Sequence, residues 1–134
     1  MKKIILVFVC MLAAQLTMAQ DEAFKKDVMK LLEISGSSAQ MDVAKNQVIK
    51  MIPPEKQAAF IVEFNSTIPT FYEKLAKVYM EVYTQQDVKD MIKFYESPVG
   101  KKMADKAGEL TEKSQAAGQE WGATLQPMLM KYMQ

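Results

Sequence analysis

The sequence contains no histidine, no arginine and only one cysteine, Cys10. Without histidine the chain lacks the commonest general base and the commonest zinc ligand. Without arginine it lacks the side chain that binds phosphate through two parallel hydrogen bonds. A single cysteine excludes an intramolecular disulfide. These absences remove the usual catalytic, phosphate-binding and metal-binding sets, and the sequence predicts a protein that is not an enzyme and has no cofactor.

A long apolar run occurs only at the N-terminus. Lys2 and Lys3 precede an almost entirely apolar stretch over residues 4–16, and small residues follow up to Ala19. This order is typical of a secretory signal peptide, and we predict cleavage after Ala19. The run is too short to span a bilayer comfortably, so we prefer this interpretation to a membrane anchor. We expect an exported protein, periplasmic or secreted, with no membrane span in the mature chain.

Loss of residues 1–19 from the 134-residue chain would leave 115 residues, a usual size for one domain over residues 20–134. Loss of Lys2 and Lys3 from the 17 basic residues would leave 15, against 16 acidic residues. Because nucleic acids are bound through an excess of basic groups, this balance argues against a nucleic-acid partner.

Apolar residues recur at helical spacing, and glycine and proline divide the pattern into segments. The first segment has the apolar face Phe24, Val28, Leu31 and Leu32. We expect Gly36 to end it in the left-handed conformation, Ser37 to cap the next helix and Pro54 to open a third. Because Pro69 interrupts backbone hydrogen bonding, we also expect either a break near Thr67 or a kink, and we prefer the break. The sequence predicts an all-α fold, a small bundle of about five to seven helices.

Two stripes suggest how the later helices pack. Over residues 70–83, the predicted core face is Phe71, Leu75, Val78 and Val82, with an aromatic face of Tyr72, Tyr79 and Tyr83 beside it. From Pro98 onward, the apolar and small residues at steps of three and four are Val99, Met103, Ala107, Leu110, Ser114, Ala117, Trp121, Leu125, Met128 and Tyr132.

A second stripe, of mostly small residues, lies one position round that last helix and includes Gly100, Gly108, Gly118 and Gly122. Interior glycines disfavour a helix, so they suggest close packing or a bend. We expect the aromatic helix to pack on this stripe. Alternatively, both features line a ligand cleft or partner groove, formed by Tyr72, Tyr79, Tyr83, Gly118, Trp121 and Gly122.

The densest local pattern lies between Tyr83 and Lys102. Thr84 and Asp87 have the spacing of a capping box, in which each side chain bonds the other residue's backbone amide. Ser97 before Pro98 is an N-cap followed by proline at the first helical position. Gly100 then falls in the first turn of that helix, where a missing side chain lets another backbone approach.

This stretch, and above all Phe94-Tyr95-x-Ser97-Pro98-x-Gly100-x-Lys102, resembles the core motif of an exported bacterial family known as domain of unknown function twenty fifty-nine. The resemblance is specific over residues 83–102 and extends by general pattern over about residues 70–125. Asp87 stands where glutamate is usual. The resemblance implies a small helical domain behind a signal peptide and transfers no catalytic residues.

The remaining polar candidates have structural interpretations beside their functional ones. The pairs Asp87 with Asp90 and Glu109 with Glu112 could bind a cation, but interleaved lysines favour solvated charges. Ser97 has no base nearby in sequence, which favours capping over nucleophilic chemistry. The thioethers of Met128, Met130 and Met133 could bind copper(I); ordinary packing is the alternative.

Three hypotheses follow for function. The first is a helical binding or interaction module of the bacterial envelope, with an unidentified envelope protein as partner. The second is a carrier of a small apolar ligand, and the third is an enzyme with a carboxylate-only site. An exposed apolar patch favours the first, a large apolar cavity the second, and a cleft with inward-facing acids the third.

Overall fold

A computed structural model describes residues 20–133, which form five helices and no strand. The described part of α1 spans residues 20–34. The others are α2 (Ser37–Ile49), α3 (Pro54–Val82), α4 (Gln85–Glu96) and α5 (Pro98–Met133). The predicted all-α class is confirmed, at the lower end of the expected number of helices. The predicted signal peptide, residues 1–19, lies outside the described residues, as does Gln134.

The main core forms where α1 meets α3 and α4. Val28, Leu31 and Leu32 of α1 are buried, as the apolar pattern of the sequence predicts, and α3 and α4 contribute the other buried side chains, Ala76, Val88 and Ile92. Burial of large aliphatic side chains stabilises a fold by about 1.5–3 kcal/mol each. This cluster therefore fixes the relative positions of three helices.

The expected break near Thr67 is wrong, because α3 continues through Pro69 as one helix. The hydroxyl groups of Ser66 and Thr67 donate to the carbonyl oxygens of Glu63 and Phe64, at 2.6 and 2.7 Å. These polar residues therefore bond back into their own helix and do not start a new one.

The core face of α3 also differs from the predicted one. Ala76 is fully buried, and its neighbours Tyr72, Leu75 and Tyr79 pack against the core. Three of the four residues expected there, Phe71, Val78 and Val82, are exposed. Ala76 belongs to the same buried cluster as the apolar residues of α1, so the tyrosine side of α3 faces the core.

The α1–α2 corner is formed by Gly36, which adopts the predicted left-handed conformation with φ of 80°. A Cβ atom there would lie 2.6 Å from the carbonyl oxygen of Ala104, so α5 approaches this corner closely. The expected capping by Ser37 is wrong, since Gly36 occupies the N-cap position and no side chain caps α2. The Ser37 hydroxyl instead lies 2.8 Å from that of Ser35.

Helix α2 contacts both α3 and α5. Gly36 lies against Ala104 and Ala39 against Gly108, while the Gln47 side chain hydrogen-bonds that of Gln115. These contacts advance together along both helices, so α2 runs parallel to α5. Because α2 ends at Ile49, just beyond Gln47, α5 continues past the end of α2.

Candidate functional site

The predicted capping box at the start of α4 is confirmed. The Thr84 hydroxyl accepts from the Asp87 amide at 3.2 Å, and the Asp87 carboxylate accepts from the Thr84 amide at 2.9 Å. The Thr84 hydroxyl also donates to this carboxylate at 2.6 Å, and the two Thr84 hydrogen bonds lower the pKa of Asp87. Thr84 and Asp87 therefore begin α4, and the structure gives them this local role.

The Ser97-Pro98 sequence forms a tight corner between α4 and α5. The Ser97 hydroxyl accepts from the Gly100 amide at 3.2 Å and donates to the Phe94 carbonyl at 2.5 Å. A Cβ atom at Gly100 would lie 2.6 Å from the Tyr95 Cα, so only glycine fits. The Phe94 and Tyr95 rings meet edge to face at 5.2 Å. Capping, and not nucleophilic chemistry, accounts for the position of Ser97.

Helix α5 divides into two halves with different surroundings. In the packed half, residues 98–115, a Cβ atom at Gly108 would touch Ala39 of α2 at 3.4 Å. In the arm, residues 116–133, no neighbouring atom lies within 4 Å of a Cβ atom at Gly118 or Gly122. The small-residue stripe is therefore a packing surface in the first half of α5 and open in the second.

The expected packing of the aromatic helix on this stripe is wrong. Tyr72 and Tyr79 pack against the core formed with α1 and α4. Helix α2 takes the place beside α5 that we predicted for α3. The six residues predicted to form one groove are therefore not brought together, and Trp121 in the arm is 65% exposed.

The tyrosines form a separate cluster. The rings of Tyr79 and Tyr83 lie 5.6 Å apart, and burial raises the pKa of Tyr79, with smaller contributions from Tyr83 and Tyr95. Tyr72 and Tyr79 also line a cavity of about 270 Å³ between α2 and α3. This cluster lies beside the core and has no contact with the open glycines.

A larger apolar groove, of about 720 Å³, runs along the packed half of α5. Ser35 and Gln40 lie on its other side. Its apolar and small lining residues include Tyr95, Val99, Met103, Ala107, Leu110 and Ser114. Sequence reasoning did not identify this groove, although five of these residues belong to the predicted apolar stripe. The sequence feature that could have located the groove is the adjacent small-residue stripe. Because that stripe packs inward, the larger apolar stripe beside it is left at the surface.

The capping motifs and most of the groove lie within one recognisable segment. Residues 70–128 match the family model DUF2059, described as an uncharacterized protein conserved in bacteria. This match confirms the resemblance predicted from the Phe94–Lys102 motif. The DUF2059 segment contains the second part of α3, all of α4, the packed half of α5 and most of the arm. No curated protein and no solved structure is significantly similar to the chain.

Several acidic side chains of the DUF2059 segment pair with lysines. Asp90 binds Lys93 at 2.7 Å, and Glu109 binds both Lys106 and Lys113, at 2.8 and 2.7 Å. Hydrogen bonds from these two lysines lower the pKa of Glu109 to about 2. In residues 20–133, no cluster of three or more acidic side chains is arranged to hold a metal ion.

The methionines of the arm are exposed. Met128 and Met130 are two residues apart and therefore point to different sides of α5. They do not form one thioether site with Met133. None of the helices in residues 20–133 combines the length and hydropathy needed to cross a bilayer.

Proposed function

We propose that the protein is an exported, non-enzymatic interaction module of the bacterial envelope, whose groove binds an amphipathic helix. The observation that carries this proposal is the exposure of large apolar side chains along one wall of the groove. Val99, Met103 and Leu110 are each more than half exposed although the chain has α2 and α4 close by. Contiguous apolar surface rimmed by polar residues is characteristic of interaction sites.

The shape of the groove suits a helix. Val99, Met103 and Leu110 are spaced by four and seven residues, so they form one line along α5. An incoming helix with apolar residues at steps of three and four would place its side chains between them, as in other helix-in-groove complexes. Lys102 and Lys106 line the same groove, and their charged groups suit the rim of such an interface.

The acids and the N-terminal sequence support the remaining parts of the proposal. Asp90 and Glu109 are held by lysines and Asp87 by a capping box, which are structural uses of carboxylates. The charged, apolar and small-residue order of residues 1–19 supports export.

The test is photo-cross-linking in the living bacterium, with benzoylphenylalanine replacing Met103 in the groove or Lys77 on the exposed side of α3. We expect a covalent product of higher mass only from Met103, in the periplasmic or secreted fraction, and a chain that has lost residues 1–19. No product from Met103 or from a second groove position, Leu110, would contradict an interaction function. A full-length cytoplasmic chain would contradict export.

The volume of the groove also favours a second candidate, a carrier of a small apolar ligand. Ligand pockets usually occupy about 300–1,000 Å³, and the groove of about 720 Å³ lies in this range. Native mass spectrometry of the chain, purified from the envelope without harsh delipidation, separates the two candidates. A small added mass that is lost on denaturation would support carriage, and the bare chain mass or its multiples would support interaction.

A further inference from the structure

The arm of α5 has an apolar surface, and among residues 20–133 no neighbouring atom lies within 4 Å of a Cβ atom at Gly118 or Gly122. Trp121, Met128 and Tyr132 are exposed along one side of it. Gly118, Gly122 and Pro127 all disfavour a helix, and in proteins most of the stability of a helix comes from packing of its apolar face. A surface packed against the arm would therefore stabilise its helical conformation.

We propose that a second copy of this chain supplies that surface, with the arm of each copy lying antiparallel in the groove of the other. This inference rests on the proposed function, since it names the helix that the groove receives. The arm of one copy then covers the groove of the other. Two-fold symmetry repeats this contact, so both arms and both grooves are covered.

The apolar stripe of α5 is self-complementary in this arrangement. When two α5 helices are paired antiparallel about the point between Gln115 and Ala116, side chains of the stripe come opposite one another. The facing pairs are Val99 with Tyr132, Met103 with Met128, Leu110 with Trp121, and Ser114 with Ala117. Ala107 and Leu125 nearly face each other, because the residue directly opposite Ala107 is Thr124.

The sizes of these pairs fit a helix crossing. Ser114 and Ala117 are small and lie at the centre, where two crossing helices come closest, while the large side chains lie towards both ends. The residues of the packed half in all four pairs line the groove. The arm therefore carries side chains that match this wall position by position.

The charges of α5 also favour an antiparallel pair. Seven of its nine charged residues lie in the packed half, and only Glu120 and Lys131 lie in the arm. Antiparallel pairing puts the charged half of one helix beside the nearly uncharged half of the other. Lys113 and Glu120 are seven residues apart at the same edge of the stripe, so each approaches the other across the interface. A parallel pair would align like charges.

The area reaches the lower limit for a specific dimer. At 1.5 Å per residue, the 36 residues of α5 extend about 54 Å. A contact strip about 10 Å wide on each copy buries roughly 1,000 Å² in total, which is about the smallest area expected of a specific interface.

The first test is sedimentation velocity over a concentration series, using the chain as purified from an expressing bacterium. We expect a dimer, and Leu110→Lys should raise its dissociation constant about tenfold or more, because it buries an unpaired charge. Leu110 is 66% exposed, so the folded monomer tolerates the change. Val62→Lys, at a 70% exposed position on α3, is the matched control and should leave the dimer unchanged.

A second test fixes the direction of pairing by disulfide formation with oxidised glutathione, in chains carrying Cys10→Ser. Leu110 and Trp121 are eleven residues apart, about 16 Å along one helix, so they cannot bond within a chain. Mixing Leu110→Cys chains with Trp121→Cys chains should give a covalent dimer, whereas either variant alone should not. Cross-linking of Leu110→Cys chains with themselves would overturn the antiparallel arrangement.

Charge reversal gives a third, independent readout. Lys113→Glu and Glu120→Lys should each weaken the dimer about tenfold by placing like charges together, and the double variant should restore it. A monomer at all concentrations, with no mixed disulfide, would overturn self-association. If Met103 still cross-links to a different protein in the cell, the interaction function stands and only the identity of the partner is wrong.

Discussion

The two halves of α5 share one apolar periodicity but have different neighbours. In the packed half, Gly100 and Gly108 lie where α4 and α2 come close, and charged residues cover the solvent side. In the arm, Gly118 and Gly122 face open space, and charge is nearly absent. Charge depletion is a property of interface cores. The composition of the arm therefore resembles that of an interface core, although no neighbour within residues 20–133 packs against its glycines.

The two halves of α5 also differ in the energetic cost of their glycines and proline. An interior glycine costs a helix about 1 kcal/mol relative to alanine, and an interior proline about 3 kcal/mol. In the packed half this cost is offset by close packing. In the arm, no neighbour within residues 20–133 packs against Gly118 or Gly122 to offset this cost, and Pro127 adds its own.

The largest contrast between the core and the arm should come from one leucine in each. Leu31→Ala removes a buried side chain of the core, and we expect a loss of about 2–5 kcal/mol in the free energy of unfolding. Leu129→Ala, in the arm, should change it by less than about 0.5 kcal/mol. Urea denaturation at concentrations too low for association measures both, and equal losses would show that the arm belongs to the core.

Alanine at the glycines should have effects of opposite sign in the two halves. Gly100→Ala forces a Cβ atom against the backbone of Phe94 and Tyr95, and we expect a loss of about 1–3 kcal/mol. Gly118→Ala meets open space in the monomer and should stabilise the helix by up to about 1 kcal/mol. The same denaturation experiment at low concentration compares them, and a loss at Gly118 would place a neighbour there within the monomer.

Removing the capping box tests whether the arm unfolds separately. Thr84→Ala should lower the free energy of unfolding by about 1 kcal/mol, because the Asp87 amide loses its acceptor. Amide hydrogen exchange should then accelerate in α4 and in residues 101–115, while the exchange of residues 117–133 stays as it was. A uniform acceleration along α5 would mean that both halves open together.

The smallest effect concerns the charges of the packed half. The pKa of Glu109 is lowered from its ordinary 4.5 to about 2, so its ion pairs stabilise the fold above pH 4.5 and are lost as pH falls towards 2. A carboxyl titration followed by NMR should show this low midpoint. Replacing both lysines, Lys106→Met with Lys113→Met, should return the midpoint towards 4.5. An unchanged midpoint would mean that these lysines are not its cause.

Local features were predictable because they depend on neighbours in sequence. The capping box of Thr84 and Asp87, the left-handed Gly36 and the close approach at Gly100 follow from residue type and spacing alone. The predictions at Pro69 and Ser37 were wrong for different reasons, the first local and the second a contact with a distant helix. The hydroxyls beside Pro69 bond within the helix, and the close approach of α5 at Gly36 shapes the corner that Ser37 was expected to cap.

The sequence by itself determined the helical class, the Ser97-Pro98 corner and the two stripes of α5, since each is a matter of short-range periodicity and capping. Only the tertiary structure decided which stripe packs inward. Small side chains let helices come close, so α2 settled on Gly108 and the larger stripe was left to form the groove. That choice depends on which helix reaches α5, and no local pattern in α5 specifies it.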